Sequence, residues 1–398
     1  MFLVALPIGA VVLTSDAGAA IALGLLLPVM QDLLGGGGSV HISPSDVILV
    51  LIFLRLLLEG SRTRQLAELR ALRPVRLPLL QYLVFVLILL ALHFDGAGIL
   101  KTLQRFELLG LPLLAGAFIA LRGQETRFLK AYIVGSTVLA VAWPVLHNTS
   151  FGAEFQKNPV GQVIANAVLI LISVRQLRRF LPCLPLLAIG LGLTASRGAV
   201  VSVAAGLVVL SLYSFATNPR VVVARSLALV VAGAVAYGLL PASTQSRLTT
   251  FSTSSVTAAS YPILAREAYA KEAEAIIAKH PWTGIGVGNY LTTSPIYGSN
   301  TDPHDVILLQ AAEGGYLFAG SFIVLVVGAL VVLWRLRTGW VVPASAAVMA
   351  ATATHGLVDV YWVRVTPVLS WVLLGVVVAQ VSRSRAGRRA DANPGTGT

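Results

Sequence analysis

The stretch DPHDVILLQAAEGGYLFAGSFIVLVVGALVVLW, residues 302–334, decides the fold class. Three polar residues and a proline open it, and the apolar run from Val306 to Trp334 carries a single charge, Glu313. An α-helix needs about 20 mostly apolar residues to cross the hydrocarbon core of a bilayer, so this run is long enough. Asp302 is a good N-cap, Pro303 suits the first helical position, and Asp305 complements the helix dipole. The sequence therefore predicts a spanning helix that starts at Asp302-Pro303, with His304 in its first turn.

Similar runs recur along the chain. With 56% hydrophobic and 12% charged residues among 398, there is too little polar surface for a soluble globule. The runs also lack the strict alternation of an outer-membrane strand. The expected fold class is an all-α polytopic membrane protein. Spans are expected near Ser45 to Glu59, Leu77 to Phe94, Leu103 to Leu121, Phe128 to Leu146, Val160 to Val174, Leu181 to Thr194, Gly198 to Ala216, Val221 to Leu240, Val306 to Trp334, Val341 to Leu357 and Thr366 to Val381. Met1 to Leu34, broken at Ser15-Asp16, supplies one or two more, giving about 12 transmembrane helices. Met1 to Thr14 lacks a basic n-region, so these first helices are expected to be retained.

The chain then divides into N-terminal transmembrane helices (1–240), a larger polar loop (241–305), C-terminal transmembrane helices (306–381) and a disordered basic tail (382–398). With alternating spans, about 20 of the 29 Lys and Arg fall on one side, including Arg62 to Arg76, Arg122, Arg127, Arg175 to Arg179, Arg335, Arg337 and the tail. By the positive-inside rule that side is cytoplasmic and the 241–305 loop is external. The net charge of +12 reflects this topology and contact with anionic lipid, not nucleic acid, since no aromatic-basic domain accompanies it. The basic runs read as membrane anchors. A lone Cys183 excludes an intramolecular disulfide and reads as a small buried apolar residue.

Nine basic residues fall outside against this bias: Lys101, Arg105, Lys157, Arg197, Arg247, Arg266, Lys271, Lys279 and Arg364. Arg197, between two spans, needs a particular reason, because cations at membrane depth are costly. Planar guanidinium groups grip phosphate or diphosphate bidentately; snorkelling to headgroups is the competing reading. Within the loop, 262–280 reads as a surface helix with an apolar stripe of Ala265, Tyr269, Ala273 and Ile276, and Glu267 supports Lys271 four residues on. Gly284 to Asn289 lacks the preceding strand and βαβ unit of a dinucleotide site, so it reads as a backbone turn. His304 is expected to be neutral and able to accept a proton, since the helix dipole disfavours imidazolium. A capping histidine, or a divalent-metal site with Asp302 and Asp305, are the competing readings. Glu313-Gly314-Gly315 would let a neighbouring helix approach, and His355 with Asp359 reads as a structural hydrogen-bonded pair.

Taken in order, Lys157-Asn158-Pro159-Val160-Gly161-Gln162, Ala195-Ser196-Arg197-Gly198-Ala199, Arg266 with Ala278-Lys279-His280-Pro281 and Gly284-Ile285-Gly286, and Pro303-His304 with Glu313-Gly314 resemble the O-antigen ligase and polymerase (Wzy-like) superfamily of membrane glycosyltransferases. The resemblance implies a GT-C-like helical fold at the bacterial inner membrane, with its active site on the external, periplasmic face. It implies transfer of a glycan from a polyprenyl (undecaprenyl-type) diphosphate carrier to an acceptor hydroxyl, ligase-like or as a polymerase of lipid-linked repeat units. It further implies metal-independent inverting chemistry, with no cofactor. Arg197 and Arg266 correspond to the family's diphosphate ligands and His304 to the group that assists the acceptor. Lys157 and Arg247 follow as secondary phosphate ligands, with Asp305, Asp302 and Glu313 in possible support. Asp305 departs from the family's frequent Asn after the His. From another class, a transporter or flippase for lipid-linked sugars would place ionisable residues near the bilayer midplane, whereas here they cluster at span ends.

Overall fold

The computed structural model describes residues 2–29, 33, 42–59, 70–146, 156–215, 220, 237–238, 242, 245–246, 261–290, 302–337, 339–359, 361–362 and 366–392. Among these the regular structure is helical. The expected span 221–240 lies largely outside them, as do Arg247 and Arg364. Helices α1 (Phe2–Thr14) and α2 (Asp16–Leu26) divide at Ser15, whose hydroxyl caps α2 by accepting from the Gly18 N–H at 3.1 Å. Helices α3 (Pro44–Leu58), α4 (Arg76–Leu92), α5 (Gly96–Leu121) and α6 (Glu125–Leu146) follow. The Asp95 carboxylate caps α5 through the Gly98 N–H at 2.7 Å. Then come α7 (Lys157–Ser173), a 3-10 segment (Arg175–Cys183), α8 (Leu184–Leu193), α9 (Arg197–Phe215), α10 (Tyr261–Lys279), α11 (Val306–Arg335), α12 (Val342–Gly356) and α13 (Val368–Ala392).

Five helical stretches among the described residues are long and apolar enough to cross a membrane: Arg73–Leu92, Gly98–Leu121, Glu125–Leu146, Arg175–Leu193 and Val306–Arg335. Asp16–Leu26, Arg197–Tyr213 and Val368–Ser384 are shorter apolar helices. Small residues set the closest crossings. Gly116 of α5 abuts the Val372 carbonyl of α13, and Gly375 of α13 abuts Leu113, leaving no room for a side chain at either position. Helix α11 lies against α4, with Gly314 on Leu89 and Gly328 on Pro78. Helices α7, α9 and α12 share a buried polar seam: Ser202 donates to the Gln162 carbonyl oxygen at 2.8 Å, and the Gln162 amide donates to Asn166 at 3.0 Å and Thr352 at 3.4 Å. Gly161 lets α7 approach Ser196 and Ala199.

At one end of the bundle, Arg55 pairs with Asp16 and Glu59, and Arg122 pairs with Glu59, both guanidiniums lying over the Phe118 ring. Arg122 was expected to be a plain anchor; it is instead a partly buried strut between helix ends. The boundary expected after Val381 also moves. Helix α13 continues to Ala392, and in its first turn past Val381 Arg383 donates to the Ala120 carbonyl at 2.7 Å and pairs with Glu125 at 3.2 Å. Those contacts hold in register a turn that composition alone reads as disordered.

Candidate functional site

His304 precedes α11 and is not part of it. The N-cap is Asp305, whose carboxylate accepts from the Ile307 and Leu308 N–H groups at 2.8 and 3.1 Å, so the helix starts at Val306. This corrects the expected start at Asp302-Pro303: both Asp residues can cap, and the backbone closes on the later one. His304 sits at φ +53°, in the left-handed region. The Asp302 carboxylate holds that turn by accepting the His304 N–H at 2.8 Å.

The imidazole is oriented from two sides. Its Nδ1 lies 2.9 Å from the Asp302 carbonyl oxygen. A carbonyl only accepts, so Nδ1 carries the proton and Nε2 keeps its lone pair. The ring also stacks on Tyr269 of α10, with centroids 5.9 Å apart. Burial works against the imidazolium, but the Asp302 carboxylate and the more distant Asp359 outweigh it, so the His304 pKa is raised above its ordinary 6.5. The expectation that the helix dipole disfavours charge is thus corrected, because the Asp302 carboxylate lies 3.4 Å from Nδ1 while the N–H groups that open α11 are capped by Asp305.

The glycine-rich segment after α10 has a definite partner. Helix α11 breaks at Gly315 (φ 75°, ψ −179°). Into that break fit the Ile285 and Gly286 N–H groups, which donate to the Ala312 and Glu313 carbonyls at 3.1 and 2.9 Å, while the Tyr316 N–H donates to Pro281 at 2.8 Å. Gly284 (φ +60°) and Gly315 touch the opposing backbone where a side chain would collide. What approaches Glu313-Gly314-Gly315 is therefore this loop as well as α4. The Glu313 carboxylate accepts the Gly288 N–H at 2.8 Å and pairs with Arg105, whose guanidinium also lies over Phe318 and Trp362. Arg105 and Glu313 are both buried, so they lock loop to helix and are not open ligands.

Around His304 the other elements converge. Arg266 of α10 extends Nη2 to within 3.1 Å of the Asp359 carboxylate, just beyond α12. Arg197, first residue of α9, lies within electrostatic reach of Arg266. Arg266, Asp359 and His304 all act electrostatically on His355, in the last turn of α12. Gly198, beside Arg197, sits so close to that imidazole that an added Cβ would lie 3.3 Å from its Cδ2. Among the described residues Asp359 faces Arg266 and acts on the buried His355 ring electrostatically, and the Asn158 backbone is the hydrogen-bond partner of that ring.

Arg197, Arg266, His304 and Asp302 thus gather at one end of the bundle. Lys157 is exposed at the start of α7, next to Asn158, whose backbone bears on His355. Arg247 lies outside the described residues. Glu313 belongs to the loop anchor and Asp305 to the cap. Burial raises the Asp305 pKa against the pull of its two N–H partners. Among the described residues no group of three or more His, Cys, Asp and Glu is arranged to hold a metal. Asp302 and Asp305 are engaged by backbone N–H groups. Sequence reasoning did not assign Tyr269 or Asp359 to the site. Tyr269 had a signal, lying one helical turn after Arg266 and hence on its face; Asp359 had none.

Residues 182–317 match the family model described as O-antigen ligase, which supports placement of this chain in the O-antigen ligase and Wzy-like superfamily. The matched segment contains Arg197, Arg266 and His304 and ends just past the Gly315 break. No curated protein gives a significant match to the chain.

Proposed function

We propose, starting from the O-antigen ligase match, that this protein is a membrane glycosyltransferase acting on a lipid-linked glycan donor at the outer face of the cytoplasmic membrane. The observation that carries the reading is the gathering of Arg197, Arg266 and His304 from three separate elements into one cluster. Two guanidiniums provide the charge that a polyprenyl diphosphate leaving group requires as the glycosidic oxygen departs. His304, with Nδ1 engaged by Asp302, offers Nε2 to the acceptor hydroxyl. The hydroxyl oxygen attacks the anomeric carbon, its proton passes to Nε2, and the bond to the diphosphate oxygen breaks. The diphosphate leaves with the bonding electron pair, in the Arg197–Arg266 field. Such a single displacement inverts the anomeric centre and draws on no metal. Lys157, exposed at the rim, is a secondary phosphate contact.

Within the superfamily the ligase reading is favoured by the matched model; the polymerase reading differs only in the acceptor. The test is the glycan profile of a deletion strain complemented with wild type or His304→Ala. Long polymer stranded on its lipid carrier supports ligase, and single repeat units support polymerase. Lipid-linked glycan trapped at the inner leaflet would point to a flippase, and a normal profile in the deletion strain would reject all three.

A further inference from the structure

Arg266 and His304 belong to different elements, so something has to fix the distance between them. Helix α10 carries Arg266, and Tyr269 follows one turn later on the same face. The Tyr269 ring stacks on the His304 imidazole, with centroids 5.9 Å apart and an interplanar angle of 29°. This stack ties the helix that holds the arginine to the turn that holds the base. The turn needs such support, because a non-glycine residue in the left-handed region, as His304 is, keeps that conformation only where its surroundings impose it.

Helix α10 is itself held in register against α11. Beyond its C-terminal end the Pro281 carbonyl accepts the Tyr316 N–H at 2.8 Å, and the Ile285 and Gly286 N–H groups dock in the α11 break. The spacing from Tyr269 to Pro281 equals that from His304 to Tyr316, so the two segments keep step between their two contacts. The docked loop then returns to α10 through Tyr290. That side chain is fully buried, and its hydroxyl donates to the Tyr269 carbonyl at 3.3 Å. The loop thus grips α10 at the residue whose ring meets His304.

Resting on the proposed transfer reaction, we propose that Tyr269 is a positioning residue that sets the spacing between a diphosphate on Arg266 and the His304 base, with Tyr290 holding the α10 turn that carries it. An aromatic face suits this role. It bears on the plane of the imidazole and leaves the ring edge to its in-plane partners, the Asp302 carbonyl at Nδ1 and the acceptor hydroxyl at Nε2. Misplacing a base by about 1 Å slows the chemical step, so the role is read in kcat and not in donor affinity.

The test is steady-state transfer by the full-length protein in proteoliposomes, with lipid-linked glycan varied at saturating acceptor. Tyr269→Leu is expected to lower kcat about tenfold while the donor KM stays within about twofold, since Arg266 remains. Tyr269→Phe keeps the ring and retains most of kcat. Tyr290→Phe removes only the hydroxyl that holds the turn and lowers kcat about threefold. Tyr269→Met fills much of the same space without a ring and should match Tyr269→Leu, which keeps the test alive if Tyr269→Leu does not fold. Wild-type kcat in Tyr269→Met or Tyr269→Leu, a Tyr269→Phe as slow as either, or a raised donor KM in place of a lowered kcat would overturn the positioning role. Arg266→Ala and His304→Ala are the references. If both transfer at the wild-type rate, the transferase site itself is misassigned and this inference falls with it; if both are impaired while Tyr269→Leu and Tyr269→Met are not, only this inference fails.

Discussion

The Arg266 guanidinium lies 3.1 Å from the Asp359 carboxylate, joining α10 to the segment beyond α12. The arginine side chain is 30% exposed and the aspartate 4%, so the pair has one face open to a ligand and one sealed. Arg266→Ala should raise the donor KM about tenfold to a hundredfold, as for loss of a charged hydrogen bond. Arg266→Lys should recover part of this, since it keeps charge but not the bidentate fork. Steady-state transfer kinetics at varied donor check both; an unchanged KM in Arg266→Ala removes this residue from the donor site.

The raised pKa of His304 sets the pH dependence. Its imidazolium form gains from Asp302, a stabilisation fully present below the ordinary value of 6.5 and lost as pH rises through the higher, folded-state pKa. A general base works in the neutral form, so transfer should rise with pH along a limb whose midpoint lies above 6.5. Asp302→Asn keeps an acceptor for the His304 N–H but removes the charge, and should move that midpoint down. A pH–rate profile that stays put in Asp302→Asn speaks against His304 as the titrating base.

The Arg105–Glu313 pair anchors the loop that leads from α10 toward His304. Glu313→Gln leaves the Arg105 charge buried, and a loss of about 3 kcal/mol is expected. The double variant Arg105→Met/Glu313→Leu should be less destabilised than the sum of the singles, because neither charge then remains. Thermal unfolding in detergent measures this, and simple additivity would mean that the pair is not coupled.

Gly315→Ala tests the break in α11. At φ 75° with the Trp282 and Pro281 backbones against it, a methyl group must displace the loop. The expected cost is about 2 kcal/mol or more, with reduced transfer, because the loop no longer registers on Glu313. Gly320→Ala, where nothing lies within 4 Å of an added Cβ, is the control that should behave as wild type.

Much of this was legible in the sequence because its signals are local. Apolar runs near span length gave the helix from Val306 to within a residue of its end at Arg335, and Ser15-Asp16 marked a true break through a capping hydroxyl. Tyr261–Lys279 likewise follows the stripe and the Glu267–Lys271 pair, which closes at 2.9 Å. What stayed hidden depends on contacts across long separations. Which of Asp302 and Asp305 caps α11 is a choice between near-equal local options. That Asp359 faces Arg266 and not its neighbour His355 follows from how α10 docks, and the partner of Gly284-Ile285-Gly286 is a helix break that its own residues do not announce. The first turn of α13 past Val381 is held by Arg383 reaching Ala120 and Glu125, far upstream in the chain.

The most direct measurement reconstitutes wild type, Arg197→Ala, Arg266→Ala and His304→Ala in proteoliposomes with lipid-linked glycan extracted from the deletion strain and the strain's own acceptor. Glycan transferred and polyprenyl diphosphate released are then counted together. Wild type should release one carrier diphosphate per glycan transferred. His304→Ala should lose about a hundredfold or more in rate while still binding donor, and the two arginine variants should lose donor binding itself. Transfer at the wild-type rate by His304→Ala, or full donor binding by both arginine variants, would contradict the account.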